Sequence, residues 1–345
     1  MKSTLPTRLV GRCGVSVSEV GFGAAPLGNL YQPICDATAH AALRLALSEG
    51  IRYFDTAPYY GFGLSERRVG DGVRGSAGVV VSTKVGRLLT PAPEIDGNEL
   101  RNGFRSPMPF SPRFDYTFDG IMRSWEASLQ RLGLAAVDIL YVHDIGRLVH
   151  HADHDATFGY LIKRGGFRAL EQLRAAGEIK AFGLGVNEWQ ICLEAMEYAD
   201  IDIVLLAGRY TLLDQSALAK LLPACIKRET AVVIGGVYNS GILATGTRLG
   251  EVLRYNYEPA TPSIIEQVQR IEAICDNHRV RLPAAALQFP LAHPEVVSVI
   301  PGLDTPVRVA QTLEYYREPI PAEFWREMRR AGLLPATAAV PTEAR

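Results

Sequence analysis

The chain has 345 residues, 48% hydrophobic and 21% charged, the composition of a globular protein with ample apolar material for a core. Its 36 basic and 37 acidic residues leave a formal net charge of −1, which excludes an electrostatic case for a nucleic-acid partner. No charge-free apolar run approaches the ~20 residues of a membrane helix, and five scattered cysteines without a CxxC pair suit a reducing, cytoplasmic setting rather than a disulfide frame or a structural zinc.

Residues 8–18 alternate around Gly11 and Gly14 as a short hairpin. A small-residue strand follows at 20–24, then a helix at 36–48 with apolar residues at helical spacing. The alternation continues with strand 51–55, helix 64–74, strand 79–84, helix 119–132, strand 137–143, helix 163–176 and strand 179–185. Beyond these come helix 188–198, strand 202–206, helix 215–229, strand 231–235, helices 263–278 and 283–292, strand 296–300, and helices 305–315 and 321–331. Eight strands, each followed by a helix, specify a parallel sheet with helical crossovers, and at this length a closed (β/α)8 TIM barrel. A doubly wound sheet is the competing fold, but Gly21-Phe22-Gly23-Ala24-Ala25-Pro26 has proline where a dinucleotide fingerprint needs its third glycine. No linker or composition break divides the chain, so residues 1–345 read as one barrel domain.

The organising stretch is Ile51-Arg52-Tyr53-Phe54-Asp55-Thr56-Ala57-Pro58-Tyr59-Tyr60-Gly61. A β-branched and aromatic run ends on a carboxylate, and Pro58 then forces the chain out of the sheet. Asp55, Lys84 and His143 thus end the second, third and fourth strands, and Tyr60 lies one short turn past Asp55. In a parallel barrel all four open on the face where active sites lie. Taken singly each has a structural explanation: an N-cap, a rim lysine, a satisfied buried histidine. Together they can move a proton to or from a carbonyl or alcohol oxygen. A tyrosine with its pKa near ~10 is a poor base at neutral pH, and a lysine ammonium within a few ångströms lowers that value by ~1–3 units. Nothing in the set moves a hydride, so a nicotinamide has to supply that step.

Three connections at strand C-termini, 86–118, 144–162 and 236–262, exceed simple turns. The first carries Phe104, Phe110, Phe114, Tyr116 and Phe118, which serve either as a lid over substrate or as packing on the rim. The second carries His150-His151-Ala152-Asp153-His154-Asp155, a metal cluster by composition but expected to be a solvated loop segment.

Over essentially its whole length the sequence resembles the aldo-keto reductase superfamily, through Phe54-Asp55-Thr56-Ala57-Pro58-Tyr59-Tyr60-Gly61, Ser82-Thr83-Lys84-Val85-Gly86 and Tyr141-Val142-His143-Asp144. The resemblance implies a barrel enzyme using NAD or NADP, with Tyr60 as general acid/base, Lys84 and Asp55 tuning it, and His143 orienting substrate. It also implies Gly23, Asn187, Gly302, Thr305 and Arg308 as cofactor-binding positions. The segments 23–31, 205–213 and 235–241 are similar to the D-threo-aldose 1-dehydrogenase branch, which includes L-fucose dehydrogenases and has pyridoxal 4-dehydrogenase as a close relative. The implied reaction is oxidation of the anomeric hydroxyl of an aldose such as L-fucose to the lactone. Pyridoxal is the alternative substrate, and a general aldehyde or ketone reductase the broader one. Ala207, Gly235 and Val186 depart from the residues the wider family uses around the nicotinamide. After the last strand, Gly302 and Leu303 replace a cation and a hydroxyl that grip a 2′-phosphate, and Asp304 adds a negative charge, so NAD is expected to be preferred over NADP. A metal-dependent hydrolase on the same barrel is disfavoured because no HxH lies on an early strand. A cofactor-binding regulatory subunit is disfavoured by the intact tetrad.

Overall fold

The structure, a computed structural model, describes residues 5–97, 99–248 and 252–341. Eight parallel strands form one sheet in sequence order: β1 (Phe22–Gly23), β2 (Tyr53–Asp55), β3 (Val80–Val85), β4 (Ile139–His143), β5 (Ala181–Val186), β6 (Ile203–Ala207), β7 (Ala231–Gly235) and β8 (Val296–Ile300). Parallel bridges Val20–Val299 and Gly23–Gly302 join the first strand to the last and close the barrel. The seam depends on Gly23, because a Cβ there would stand 2.7 Å from the Pro301 carbonyl oxygen.

Strand parity sorts the side chains. Tyr53, Val80, Ile139, Ala181, Ile203 and Ala231, at or near the strand starts, point into the barrel and share a cluster with Val10, Val15 and Val17 of the N-terminal hairpin. That hairpin, Thr7–Leu9 against Ser16–Ser18, therefore floors the barrel. The opposite parity, including Phe54, Val81, Leu140, Phe182 and Val204, packs outward under the helices. Asp55, Lys84 and His143 carry the inward parity one or two layers above the floor.

Helix positions follow the apolar spacing closely, with two departures. The helix expected at 163–176 is preceded by another: His154–Lys163 and Gly166–Ala175 are separate, broken at Gly165 with φ 80°. The helix expected at 215–229 spans only Leu221–Arg228, with Pro223 in its first turn, where its missing N–H costs nothing. The three long connections are also structured. Residues 86–118 contain Arg87–Pro91 paired with Phe110–Phe114, and Leu100–Arg101 paired with Phe104–Arg105. The 236–262 connection carries a hairpin, Arg254–Tyr255 with Glu258–Pro259.

The histidine run departs from the solvated loop expected of it. It lies in helical turns at 147–163, and two of its members face inward. His150 is buried with Nε2 3.1 Å from the Tyr116 hydroxyl, and His154 is buried with its ring stacked on Phe158 at 5.6 Å. His150 and His154 thus belong to helix packing, while His151, Ala152, Asp153 and Asp155 are exposed.

Candidate active site

At the C-terminal mouth, Lys84 Nζ donates to Asp55 Oδ2 at 2.6 Å and to the Thr56 carbonyl at 2.8 Å. The strand register that sets Asp55 beside Ser82 also lets Ser82 Oγ donate to Asp55 Oδ1 at 2.7 Å. Ser82 Oγ lies 3.0 Å from the Tyr53 hydroxyl, itself 2.9 Å from that of Tyr141, so Asp55 Oδ1 rests on a buried polar column while Lys84 holds Oδ2. Asp55 and Lys84 are 2% and 1% exposed. Burial pushes the Asp55 carboxyl up, against the opposing pull of the Lys84 ammonium and the Ser82 hydroxyl.

Tyr60 is fixed through its backbone. Gly61 takes φ 63°, and a Cβ on it would lie 2.3 Å from the Gly28 carbonyl oxygen. Two glycines thus let the chain after Tyr60 press against the turn after β1. The half-buried Tyr60 ring stands edge to face with His143 at 5.8 Å and 89°. Lys84 Nζ sits 4.7 Å from its centroid, over the ring face. Burial, reinforced by the Asp55 and Asp144 carboxylates, pushes the phenol well above its usual value, and Arg87 opposes them. Lys84 thus bonds Asp55 while its ammonium lies against the Tyr60 ring, so one buried cation touches both members of the set.

His143 is 5% exposed. Burial, with the Arg87 and Lys84 charges, drives its pKa well below the ordinary value, so the imidazole is neutral. Its Nε2 is 3.5 Å from Asp144 Oδ2, and its carbonyl accepts from the Tyr116 hydroxyl at 2.7 Å. Asp144 in turn pairs with Arg87 and accepts from Asn187 Nδ2 at 3.3 Å. Arg87 and the support given by Tyr116 are the features that sequence reasoning passed over. The available signal was position: Arg87 follows Lys84 by three residues, just past the glycine that turns the chain out of β3.

The lid aromatics separate by role. Phe104 is buried against Tyr59 at 5.6 Å and Tyr60 at 6.3 Å, so it walls the site. Tyr116 lies beneath it in the core, and Phe118 begins the helix Phe118–Leu132. Phe114 is 41% exposed, on the outer strand of the rim hairpin.

The implied cofactor positions flank the same mouth. Asn187 Nδ2 donates to Asp144 Oδ1, and among the described residues no protein donor reaches its Oδ1. Buried Asn239, beyond β7, also leaves its Oδ1 unpartnered. Thr305 caps the helix Pro306–Arg317 and accepts from the Arg308 backbone N–H at 3.2 Å. Gly302 is exposed beside Pro26. These acceptors and the capped helix start would suit the carboxamide and phosphate groups of a nicotinamide dinucleotide. Gly23, beside them, also forms the barrel seam. Arg308 is not free: its guanidinium bonds Asp304 Oδ2 at 3.2 Å.

The closed parallel barrel thus gathers a lysine–carboxylate pair, a tyrosine and a neutral histidine at its C-terminal mouth. The sequence profile of the aldo/keto reductase family matches residues 19–332, and the chain belongs to that family. Enzymes of this family use nicotinamide cofactors. The chain is 48% identical to pyridoxal 4-dehydrogenase of Microbacterium luteolum, over 95% of this chain and 97% of that one. It is 41% identical to D-threo-aldose 1-dehydrogenase of a Pseudomonas species, over 97% and 99%. Among solved structures, the aldo-keto reductase AKR11C1 from Bacillus halodurans in its holo form superposes with a TM-score of 0.72 at 23% identity, covering 99% of both chains, a likeness of fold. Among the described residues no helix is long and apolar enough to cross a membrane.

Proposed function

We propose that this chain is an NAD+-preferring dehydrogenase that oxidises the hydroxyl of a cyclic hemiacetal to a lactone. The carrying observation is the meeting of the Lys84–Asp55 pair, the Tyr60 ring and the neutral His143 at one mouth. Tyr60 takes the hydroxyl proton. Asp55 and Lys84 hold each other beneath it, and His143 hydrogen-bonds the substrate oxygen. A bound nicotinamide supplies the hydride acceptor. The substrate loses one proton and one hydride, and its C–O single bond becomes the lactone carbonyl.

Pyridoxal in its hemiacetal form is the substrate favoured by the 48% identical relative, and aromatic walls at Tyr59, Tyr60 and Phe104 suit a flat ring. An aldose such as L-fucose is the second reading, favoured by the 41% identical relative. The cofactor preference rests on Asp304. A 2′-phosphate would have to displace that carboxylate from Arg308, the one cation of the segment 300–308.

The test is NADH formation by the purified chain with pyridoxal, L-fucose, D-arabinose and L-galactose, beside Tyr60→Phe. We expect turnover on at least one, a ~10²–10⁴-fold loss in the variant, and NAD+ binding retained. No NAD+-linked turnover on any of the four, or full turnover without the Tyr60 hydroxyl, would sink the reading.

A further inference from the structure

We propose that Tyr116 is a positioning residue for His143: its phenol holds the peptide at the end of β4, His150 holds the phenol, and the imidazole is thereby aimed at the substrate oxygen. The kinetic arm of the test rests on the dehydrogenase reading, and the spectroscopic arm does not. Tyr116 is fully buried, and its hydroxyl donates to the His143 carbonyl at 2.7 Å. The same oxygen lies 3.1 Å from Nε2 of His150, which ends the helical turn Arg147–His150. The one hydroxyl proton goes to the carbonyl, which leaves the phenol oxygen to accept from His150. Burial pushes the phenol well above its ordinary value, so it stays a donor.

The strand ends explain why a side chain is needed there. The peptide joining His143 to Asp144 sends its N–H to the Gly185 carbonyl of β5 at 2.9 Å. In a trans peptide the carbonyl points the opposite way, here toward β3. Pairing between β4 and β3 stops at Val142–Val85, because Gly86, at φ 93°, turns the chain out into the rim hairpin. The His143 carbonyl is thus left one residue past the end of that ladder, and the Tyr116 phenol takes the place of the next N–H. Gly86 also admits the ring, since a Cβ on it would stand 2.2 Å from Tyr116 Cε1. One side chain therefore lies against the exits of both strands, those that carry Lys84 and His143.

Packing accounts for the ring but not for the hydroxyl. A phenylalanine would fill the same space over Gly86 and stack on Phe114, whose centroid is 5.9 Å away. The hydroxyl matters because little else aims His143. Its Nδ1 is buried with no hydrogen-bond partner among the described residues, and its Nε2 comes no nearer to Asp144 Oδ2 than 3.5 Å. Its ring meets Tyr59 and Tyr60 edge to face at 6.1 and 5.8 Å, contacts without the directionality of a hydrogen bond. The place of the imidazole is set by its backbone, and that peptide is gripped by Gly185 on one side and Tyr116 on the other.

The experiment compares Tyr116→Phe, His150→Gln and His150→Leu with wild type. It reads kcat and KM, melting temperature, the NAD+ Kd by fluorescence quenching, and the imidazole NMR signals of isotope-labelled histidine. His143→Gln identifies the His143 signals among those of the seven histidines. We expect Tyr116→Phe to lower kcat by roughly 10–100-fold, to leave the NAD+ Kd unmoved and to shift the His143 signals. His150→Gln keeps an N–H for the phenol and should lose less kcat than His150→Leu. A packing role lowers melting temperature alone. Wild-type kcat or unmoved His143 signals in Tyr116→Phe therefore overturn the proposal, as does a Kd that rises in step with the loss of kcat, the mark of general distortion. Should Tyr116→Phe not fold, the His150 pair decides, and equal kcat in its two variants overturns the proposal. A wild-type protein without turnover sinks the dehydrogenase reading, while the His143 signals still decide this one.

Discussion

Two lysine- or arginine-to-aspartate pairs stand at the same mouth and behave oppositely. Lys84–Asp55 is sealed, with side chains 2% and 3% exposed, and its polar atoms are bonded to each other, to Ser82 and to the Thr56 carbonyl. Arg308–Asp304 sits on the first turn after β8, with the arginine side chain 59% exposed. Desolvation makes the first pair mutually obligatory, since either partner alone would be an unpaired buried charge. Water screens the second pair, so either partner can be lost cheaply. Its consequence is selective, because a bound 2′-phosphate would compete with Asp304 for one cation. The same chemistry serves as foundation in one place and as discrimination in the other.

The largest effect should come from breaking the sealed pair. Asp55→Asn strands the Lys84 ammonium in the barrel, and we expect a loss of ~3–5 kcal/mol of stability, read from denaturant unfolding, together with the loss of turnover. A midpoint equal to wild type would break the comparison, because it would mean that Lys84 finds solvent or another counter-charge.

A smaller effect tests the dryness of the same chamber by pH. Burial and the neighbouring cations hold His143 well below its ordinary 6.5. The folded protein thus declines a proton that the unfolded chain accepts near that value. Stability should fall as pH drops below it, by up to about 1.4 kcal/mol per pH unit from this residue. His143→Gln should flatten the acid side of a melting-temperature profile accordingly. An unchanged slope would count against a neutral, desolvated imidazole.

The smallest change concerns the exposed pair. Arg308→Ala should alter stability by about 1 kcal/mol or less and lower kcat/KM for NADP+ while leaving NAD+ unchanged. Asp304→Asn should raise NADP+ use by releasing the arginine. The ratio of the two kcat/KM values reads both, and a ratio unmoved by either substitution would leave Arg308 with only a packing role.

Much of the architecture was legible in the chain because it is written at short range. Alternating periods of two and 3.6 residues specified eight βα units, and a carboxylate, a lysine and a histidine at successive strand ends follow from parity alone. The turn Pro58-Tyr59-Tyr60-Gly61 likewise announced a residue carried just past a strand. The sequence also identified the 300–308 segment as poor in cations. What it could not state was where each charge is spent. Lys84 is committed to Asp55 and lies over the Tyr60 ring, Arg87 reaches back from a hairpin to Asp144, and Arg308 is engaged by Asp304. The histidine run resembled a solvated loop because its composition is polar, yet His150 and His154 turn inward once helical phase is imposed. Periodicity is a property of neighbours in the chain, so it survives in one dimension. Charge pairing and desolvation depend on which distant segments meet and exclude water, and only the closed barrel with its folded rim decides that.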